Sequence, residues 1–227
     1  MIQRVRHVFL DVDNTLLDFE ACAEQASLSA LKTWGVDVSR FDFRVFTEIN
    51  NSLWAALERG EIERGEIHRT RWARVFSALG IEADGEAFEY AFLAAIPEHV
   101  VPVEGALDLL GYLAKKYPLY AASNAPHEQQ IKRLKSAGML DFFKDVFTSE
   151  RLGAAKPSSA FFEGIFSALP EARAEECVMI GDSYEADILG AARAGMQTIF
   201  FDFRGTGKEA PLADETVRGL SEVKLFL

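Results

Sequence analysis

Two aspartates stand two residues apart near the start of the chain, within the stretch 7–17, HVFLDVDNTLL. Side chains two apart in a strand share a face, so Asp11 and Asp13 begin on the same side, at the carboxyl end of a strand. Two adjacent carboxylates repel each other and resist joint ionisation unless a proton or a cation lies between them. A divalent cation that prefers oxygen ligands, such as Mg²⁺, resolves that conflict. The alternative is that Asp13 or Thr15 simply caps a helix.

Three further polar groups stand at comparable points later in the chain. They are Ser123-Asn124 after the apolar run 119–122, Lys156 before Pro157, and Gly181-Asp182 after the apolar run 178–180, with Asp187 shortly beyond. Taken singly, each has a plain structural interpretation as a turn, a surface charge or an N-cap. Together with Asp11 they occupy equivalent positions of one predicted sheet, which unrelated turns and caps do not explain.

The elements that position these groups alternate between strand and helix. Apolar runs predict strands at 5–12, 119–122, 145–148, 177–180 and 197–201, and helical periodicity predicts helices at 104–117, 126–137, 158–169 and 185–194. Such alternation indicates an α/β fold, a doubly wound parallel sheet with helices on both faces. Binding sites in such sheets lie at the carboxyl ends of the strands, where the polar groups are expected.

A helical segment interrupts this pattern after the first strand. Between residues 18 and 97 apolar residues recur at helical spacing, and Gly35, Gly60 and Gly80 stand where helices are expected to end. The segment therefore predicts an all-helical domain of four helices. The expected α/β core then comprises residues 1–17 and 98–227.

Composition excludes several classes of function. The chain has 24 Lys and Arg against 35 Asp and Glu, a net charge of −11, and no basic cluster that could bind a nucleic-acid polymer. No apolar stretch approaches the length of a membrane span. The two cysteines, Cys22 and Cys177, lie far apart and form no CxxC pair, which favours a reduced setting over a disulfide or zinc scaffold. With no signal-peptide pattern at the start, we expect a cytoplasmic protein.

The four motifs resemble those of the haloacid dehalogenase-like (HAD) superfamily of phosphohydrolases and follow its order. Its Asp-x-Asp-x-Thr motif matches Asp11, Asp13 and Thr15, its strand-ending Ser matches Ser123, its Lys-Pro matches Lys156-Pro157, and its Gly-Asp-x-x-x-x-Asp matches Gly181, Asp182 and Asp187. The resemblance covers the whole chain. It implies a Rossmann-like HAD core, with residues 18–97 as the helical cap that closes over the site and excludes water.

The resemblance also implies a mechanism, that of a phosphoric monoester hydrolase acting on a small phosphorylated metabolite. Asp11 is then the nucleophile that forms an aspartyl-phosphate, and Asp13 protonates the leaving alkoxide and later deprotonates water. The expected Mg²⁺ ligands are Asp11, Asp182 and the backbone carbonyl of Asp13. The expected phosphate ligands are the Ser123 hydroxyl, the amide of Asn124 and Lys156. Asp187 is expected to hold Lys156 or metal-bound water rather than the metal.

Asp13 separates two subclasses of this superfamily. The haloacid dehalogenases typically lack an aspartate at this second position, because a leaving halide needs no proton. A leaving alkoxide does need one. The acid at Asp13 therefore favours cleavage of a phosphoester.

The helical segment carries a weaker similarity. The stretches NNSLW at 50–54 and ERGEI at 58–62, with Arg71-Trp72, resemble the cap of pyrimidine 5′-nucleotidase-like members of the family. Substrate contacts are accordingly predicted at Asn51, at Trp54, which could stack on a base, and at Arg71, which could bind an anion or another cap residue. The alternative for the tryptophans is packing between helices, which we favour for aromatic residues at helical spacing.

Several functions share these core motifs. The leading prediction is a phosphatase for a small phosphomonoester, with a pyrimidine nucleoside 5′-monophosphate as the named candidate. Its rivals are a phosphoglycolate or sugar-phosphate phosphatase, a phosphoglucomutase relative, a 2-haloacid dehalogenase, and a binding protein without turnover. We expect a monomer or a homodimer that contacts neither membrane nor nucleic acid.

Overall fold

A computed structural model describes residues 2–207 and 209–227. Over these residues, six strands form a single parallel sheet in the order β3-β2-β1-β4-β5-β6. The strands are β1 His7–Leu10, β2 Leu119–Ser123, β3 Phe143–Thr148, β4 Cys177–Gly181, β5 Gln197–Phe201 and β6 Glu215–Val217. The strand order reverses direction between β1 and β4, which creates the crevice where open α/β sheets bind ligands. The predicted fold class is confirmed.

Helices connect the strands from β1 to β5, as is usual for parallel pairing, whereas a loop joins β5 to β6. They are α5 Ala106–Leu113, α6 His127–Ser136, the one-turn α7 Ser149–Leu152, α8 Ser159–Ala168 and the short α9 Gly190–Arg193. A buried cluster joins α8 to the sheet, since Phe161 and Phe162 pack with Phe9, Tyr120 and Phe147. This packing keeps the strand ends in a fixed relation.

The chain divides into two compact units, one of residues up to Phe19 and from Val101 onward, the other of Glu20–Val100. The second unit is built from α1 Phe19–Thr33, α2 Phe43–Glu58, α3 Arg64–Leu79 and α4 Gly85–Ala95. Its core is aromatic: the fully buried Trp72 ring lies 4.6 Å from the Phe88 ring and 5.2 Å from those of Phe46 and Phe92. Packing between helices, the interpretation favoured for Trp72, is what the structure has.

Two predicted details were wrong or incomplete. The predicted helix 185–194 is a π-helical turn, Tyr184–Leu189, followed by α9. The Ser183 carbonyl accepts from the N–H groups of both Asp187 and Ile188, and the second of these bonds is the wider i to i+5 contact of a π-helix. The prediction also lacked β6, because its three residues, Glu-Thr-Val, are too short and too polar to stand out as a strand.

Candidate active site

The polar groups singled out in the sequence meet at the carboxyl edge of the sheet. Asp11 directly follows β1, Ser123 is the last residue of β2, and Asp182 directly follows β4. Since β1 pairs with both β2 and β4, these three residues lie on adjacent strands. The sequence pattern therefore located the site correctly in the fold.

Lys156 joins this cluster from the loop before α8. Its Nζ donates to Asp11 Oδ1 at 2.7 Å, to Asp187 Oδ1 at 2.6 Å and to the Ala122 carbonyl at 2.6 Å. These contacts use all three protons of the ammonium group, which is 2% exposed. Burial disfavours the charged lysine, but Asp11 and Asp187 outweigh that effect and raise the pKa of Lys156 above its ordinary value.

The carboxylates of the site outnumber its cation. The carboxylates of Asp11, Asp182 and Asp187 each offer an oxygen, and these oxygens all lie within 4.8 Å of one another. The ammonium group of Lys156 contacts two of the three, Asp11 and Asp187. Burial raises the pKa of Asp11 to about 7, against the opposing pull of Lys156. Burial, together with the Asp11 and Asp187 charges, raises the pKa of Asp182 well above its usual range. When all three carboxylates are ionised they exceed the one ammonium by two negative charges, which a divalent cation with oxygen ligands would offset.

Asp187 is already fully engaged by the protein. Its Oδ1 accepts from Lys156 and its Oδ2 accepts from the Ser183 N–H at 3.0 Å. The side chain packs against Gly181 so closely that a Cβ there would lie 2.2 Å from Oδ2. This arrangement favours Asp187 as the residue that holds Lys156, with Asp11 and Asp182 as the side chains that could hold a metal.

Asn124 fixes the loop that carries Lys156. Its side-chain Oδ1 accepts from the Lys156 N–H at 2.9 Å, and its Nδ2 donates to the Lys156 carbonyl at 3.0 Å. The side-chain amide is thus occupied, so the group of Asn124 to consider for a phosphoryl oxygen is its backbone N–H. Ser123 Oγ accepts from the Ala125 N–H at 3.2 Å and from Gln130 Nε2 at 2.9 Å. With two donors on its oxygen, the hydroxyl proton of Ser123 can point elsewhere.

Asp13 is held by two residues that the sequence analysis did not identify. Arg133 Nη1 donates to its Oδ1 at 2.5 Å, and Gln130 Nε2 donates to its Oδ2 at 3.0 Å. Both come from α6, one turn apart on its buried face. Two polar residues on the buried stripe of a helix were the available signal, since such positions are normally apolar.

The residues predicted to contact substrate from the helical unit are differently placed. Asn51 and Trp54 are half-buried on α2. Arg71 is buried: it pairs with both carboxylate oxygens of Glu89, at 2.5 and 3.2 Å, and donates to Asn50 Oδ1 at 2.9 Å. Of its two predicted partners, an anion or another cap residue, Arg71 has the second.

Comparison with known proteins assigns the family. Residues 5–195 match the model of the haloacid dehalogenase-like hydrolases. The chain belongs to this family. The HAD-like family and hydrolase class inferred from the four motifs are thereby confirmed. Among the described residues, no helix combines the length and apolar character needed to cross a bilayer.

Three relatives are informative. The HAD-like hydrolase YfnB of Bacillus subtilis is 34% identical over 88% of this chain and 86% of its own. Its crystal structure, bound to magnesium, superposes with a TM-score of 0.91 over 99% of both chains. The pyrimidine 5′-nucleotidase PynA of Streptococcus pneumoniae is 36% identical over 87% of this chain and 84% of its own. The pyrimidine 5′-nucleotidase YjjG of Escherichia coli is 27% identical over 97% of this chain and 96% of its own.

Proposed function

We propose that this hydrolase is a Mg²⁺-dependent phosphatase that cleaves a small phosphomonoester, a pyrimidine nucleoside 5′-monophosphate, through an aspartyl-phosphate on Asp11. The observation that carries the proposal is the cluster at the sheet edge, in which Asp11 is bound to the buried cation Lys156 while a second acid, Asp13, is held beside it. A nucleophile, a charge-neutralising cation and a separate proton carrier are what phosphomonoester cleavage requires.

The metal is assigned to the excess negative charge. Asp11, Asp182 and the backbone carbonyl of Asp13 would hold Mg²⁺. The magnesium-bound structure of the relative YfnB supports magnesium as the ion. The ion supplies positive charge that offsets the repulsion between a carboxylate nucleophile and a phosphate dianion.

The chain's own residues bind and orient the phosphate. Lys156 adds positive charge next to Asp11, and the Ser123 hydroxyl and the Asn124 N–H donate to phosphoryl oxygens. These donors hold the phosphorus in line with Asp11. A bond then forms between an Asp11 oxygen and phosphorus as the bond from phosphorus to the leaving oxygen breaks.

Asp13 carries the proton in both halves of the reaction. Its carboxyl group protonates the leaving oxygen, which departs as an alcohol. The resulting carboxylate then takes a proton from a water molecule that attacks the phosphorus. A bond forms between the water oxygen and phosphorus as the bond from phosphorus to the Asp11 oxygen breaks, which releases inorganic phosphate and restores the Asp11 carboxylate and the protonated Asp13.

The nucleotide substrate rests on the relatives and on the helical unit. Two relatives, at 36% and 27% identity, are pyrimidine 5′-nucleotidases. Asn51 and Trp54 remain the candidate base contacts, because both are half-buried. Arg71 acts through its pair with Glu89, which anchors α3 to α4, and by its hydrogen bond to Asn50 on the helix that carries Asn51 and Trp54.

Phosphate release by the purified protein tests the proposal. With Mg²⁺ we expect turnover of 4-nitrophenyl phosphate, its loss in EDTA, and no turnover by Asp11→Asn although this variant still folds and unfolds cooperatively. A panel of nucleotides, sugar phosphates and phosphoglycolate should show preference for pyrimidine monophosphates. Full activity without metal would contradict the assignment of Mg²⁺ as cofactor. A preference for sugar phosphates would contradict the assignment of a nucleotide substrate.

A further inference from the structure

Two buried residues of α6 hold both oxygens of Asp13. Arg133 is 1% exposed and bonds Oδ1, while Gln130 is fully buried and bonds Oδ2. The Asp13 side chain itself is 28% exposed. The carboxylate is therefore fixed by hydrogen bonds from α6 and still partly exposed. A group that exchanges protons with a ligand must be accessible in this way.

The orientation of Gln130 is fixed by its neighbours. Its Oε1 accepts from Arg133 Nη1 at 2.9 Å, so its Nε2 must face the opposite way. There the two amide protons serve Asp13 Oδ2 at 3.0 Å and Ser123 Oγ at 2.9 Å. One amide thus connects the second aspartate of the first motif with the serine that ends β2.

A buried arginine that pairs with a partly exposed carboxylate contributes little to the free energy of unfolding. Removing a guanidinium from water costs several kcal/mol, and an ion pair with one exposed partner recovers only part of that. A leucine at 133 would pack on the buried stripe of α6 without this cost. The placement of Arg133 is therefore better explained by its effect on Asp13 than by the stability of the helix.

We propose that Arg133 and Gln130 are positioning residues, which hold the Asp13 carboxyl group where it transfers a proton to the leaving oxygen. The inference rests on the proposed phosphatase function, in which Asp13 is the general acid. When Asp13 gives up its proton it becomes a carboxylate, and the Arg133 cation stabilises the charge that develops. Without this grip the side chain rotates, and a misplacement of about 1 Å costs roughly 10²-fold in rate.

Leaving-group dependence distinguishes this role from a structural one. An alkyl phosphate needs a proton on its leaving oxygen, whereas 2,4-dinitrophenyl phosphate releases a stable anion without one. In Arg133→Met and in Gln130→Met we expect kcat/KM for the alkyl ester to fall roughly 10²-fold, and that for the dinitrophenyl ester to fall less than about 5-fold. The ratio kcat/KM is the right quantity because it excludes the later hydrolysis of the aspartyl-phosphate.

Three controls make the test decisive. Leu134→Val alters a buried apolar residue of the same helix, whose side chain cannot hydrogen-bond Asp13, so it should lower the melting temperature without changing the leaving-group dependence. Arg133→Lys, which keeps the charge, should restore part of the activity on the alkyl ester. Adding Arg133→Met to Asp13→Asn should cause little further loss, since the arginine acts through the aspartate.

Equal losses on both esters, or additive losses in the double variant, would overturn the inference while leaving the phosphatase function intact. Failure of the wild-type protein to hydrolyse any phosphomonoester would instead refute the proposed function. The melting temperature of each variant, measured alongside, shows that the folded protein is being compared.

Discussion

Each compact unit contains a buried arginine paired with a carboxylate, and the two pairs differ in the exposure of that carboxylate. In the helical unit Arg71 and Glu89 are each 2% exposed, and the guanidinium lies 4.8 Å from the Phe92 ring centre. In the α/β unit Arg133 is 1% exposed but its partner Asp13 is 28% exposed. A fully buried pair can only stabilise the fold, because no ligand reaches it. A pair whose carboxylate is partly exposed can contact a ligand. The comparison assigns Arg71 to stability and Arg133 to chemistry.

The largest effect is expected at Lys156, the cation that contributes to both stability and catalysis. In Lys156→Met, Asp11 and Asp187 lose their shared cation, so phosphatase activity should fall at least ~10³-fold. The free energy of unfolding should fall by about 3–5 kcal/mol, because buried carboxylates are left uncompensated. Initial rates and urea unfolding measure the two effects. Unchanged activity in Lys156→Met would contradict a catalytic role for Lys156, and an unchanged free energy of unfolding would contradict its structural role.

Removing Arg71 should affect stability almost alone. Arg71→Met removes the arginine that pairs with the buried Glu89 carboxylate, although His68 Nδ1 still contacts it at 2.8 Å, and should cost about 3–5 kcal/mol of unfolding free energy. At temperatures where the variant is folded, the leaving-group dependence should match that of the wild type. Arg71→Met combined with Glu89→Gln should recover part of the lost stability, measured by urea unfolding. A change in leaving-group dependence would break the distinction between the two pairs.

The carboxylates beside the α/β pair should couple metal binding to pH. The pKa of Asp11 is about 7 in the folded protein against an ordinary 3.8, so between these two values the folded protein retains a proton that the unfolded chain has lost. The metal-free protein therefore loses stability as pH rises over this interval, and the loss is complete once Asp11 ionises in the folded state near pH 7. Protons therefore compete with Mg²⁺ below that pH, and the apparent Mg²⁺ affinity should be roughly tenfold weaker at pH 6 than at pH 8.

Thermal melting measures this coupling. Mg²⁺ should raise the melting temperature more at pH 8 than at pH 6. The Arg71→Met variant is the matched control, since its substitution lies in the other unit and should leave the pH dependence unchanged. A Mg²⁺ effect that is the same at both pH values would contradict the assignment of Asp11 to the metal.

The smallest effect on stability is expected at Arg133. Because water still reaches Asp13, Arg133→Met should lower the unfolding free energy by only about 1 kcal/mol. Urea unfolding of Arg133→Met and Arg71→Met under one set of conditions tests the comparison directly. Equal losses of unfolding free energy in the two variants would indicate that both arginine pairs mainly stabilise the fold.

The residues found from the sequence are those whose signal is local. Asp11, Ser123 and Asp182 each follow an apolar run, so their place in the sheet could be inferred from strand periodicity alone. Gln130 and Arg133 were missed because their partner Asp13 lies more than a hundred residues earlier, and only the folded chain brings them together. Helical periodicity identified α6 but did not show which polar residues it buries.

The helical unit shows the same limit. Its helices follow from apolar spacing, yet the engagement of Arg71 by Glu89 depends on how α3 packs on α4. A charged residue in a cap segment therefore looks the same in sequence whether it binds a ligand or a neighbouring helix. The π-helical turn after β4 was missed for a related reason, since it depends on a single carbonyl, that of Ser183, accepting two bonds.

The contact between Gly181 and Asp187 means that the site can be disabled by one methyl group. An alanine at 181 would place its Cβ 2.2 Å from Asp187 Oδ2, and Asp187 is tied to both Lys156 and Ser183, so it cannot withdraw without releasing the lysine. Gly181→Ala should therefore lose activity while every charged group of the site is still present in the sequence. An inventory of charged and polar residues alone would classify such a chain as active.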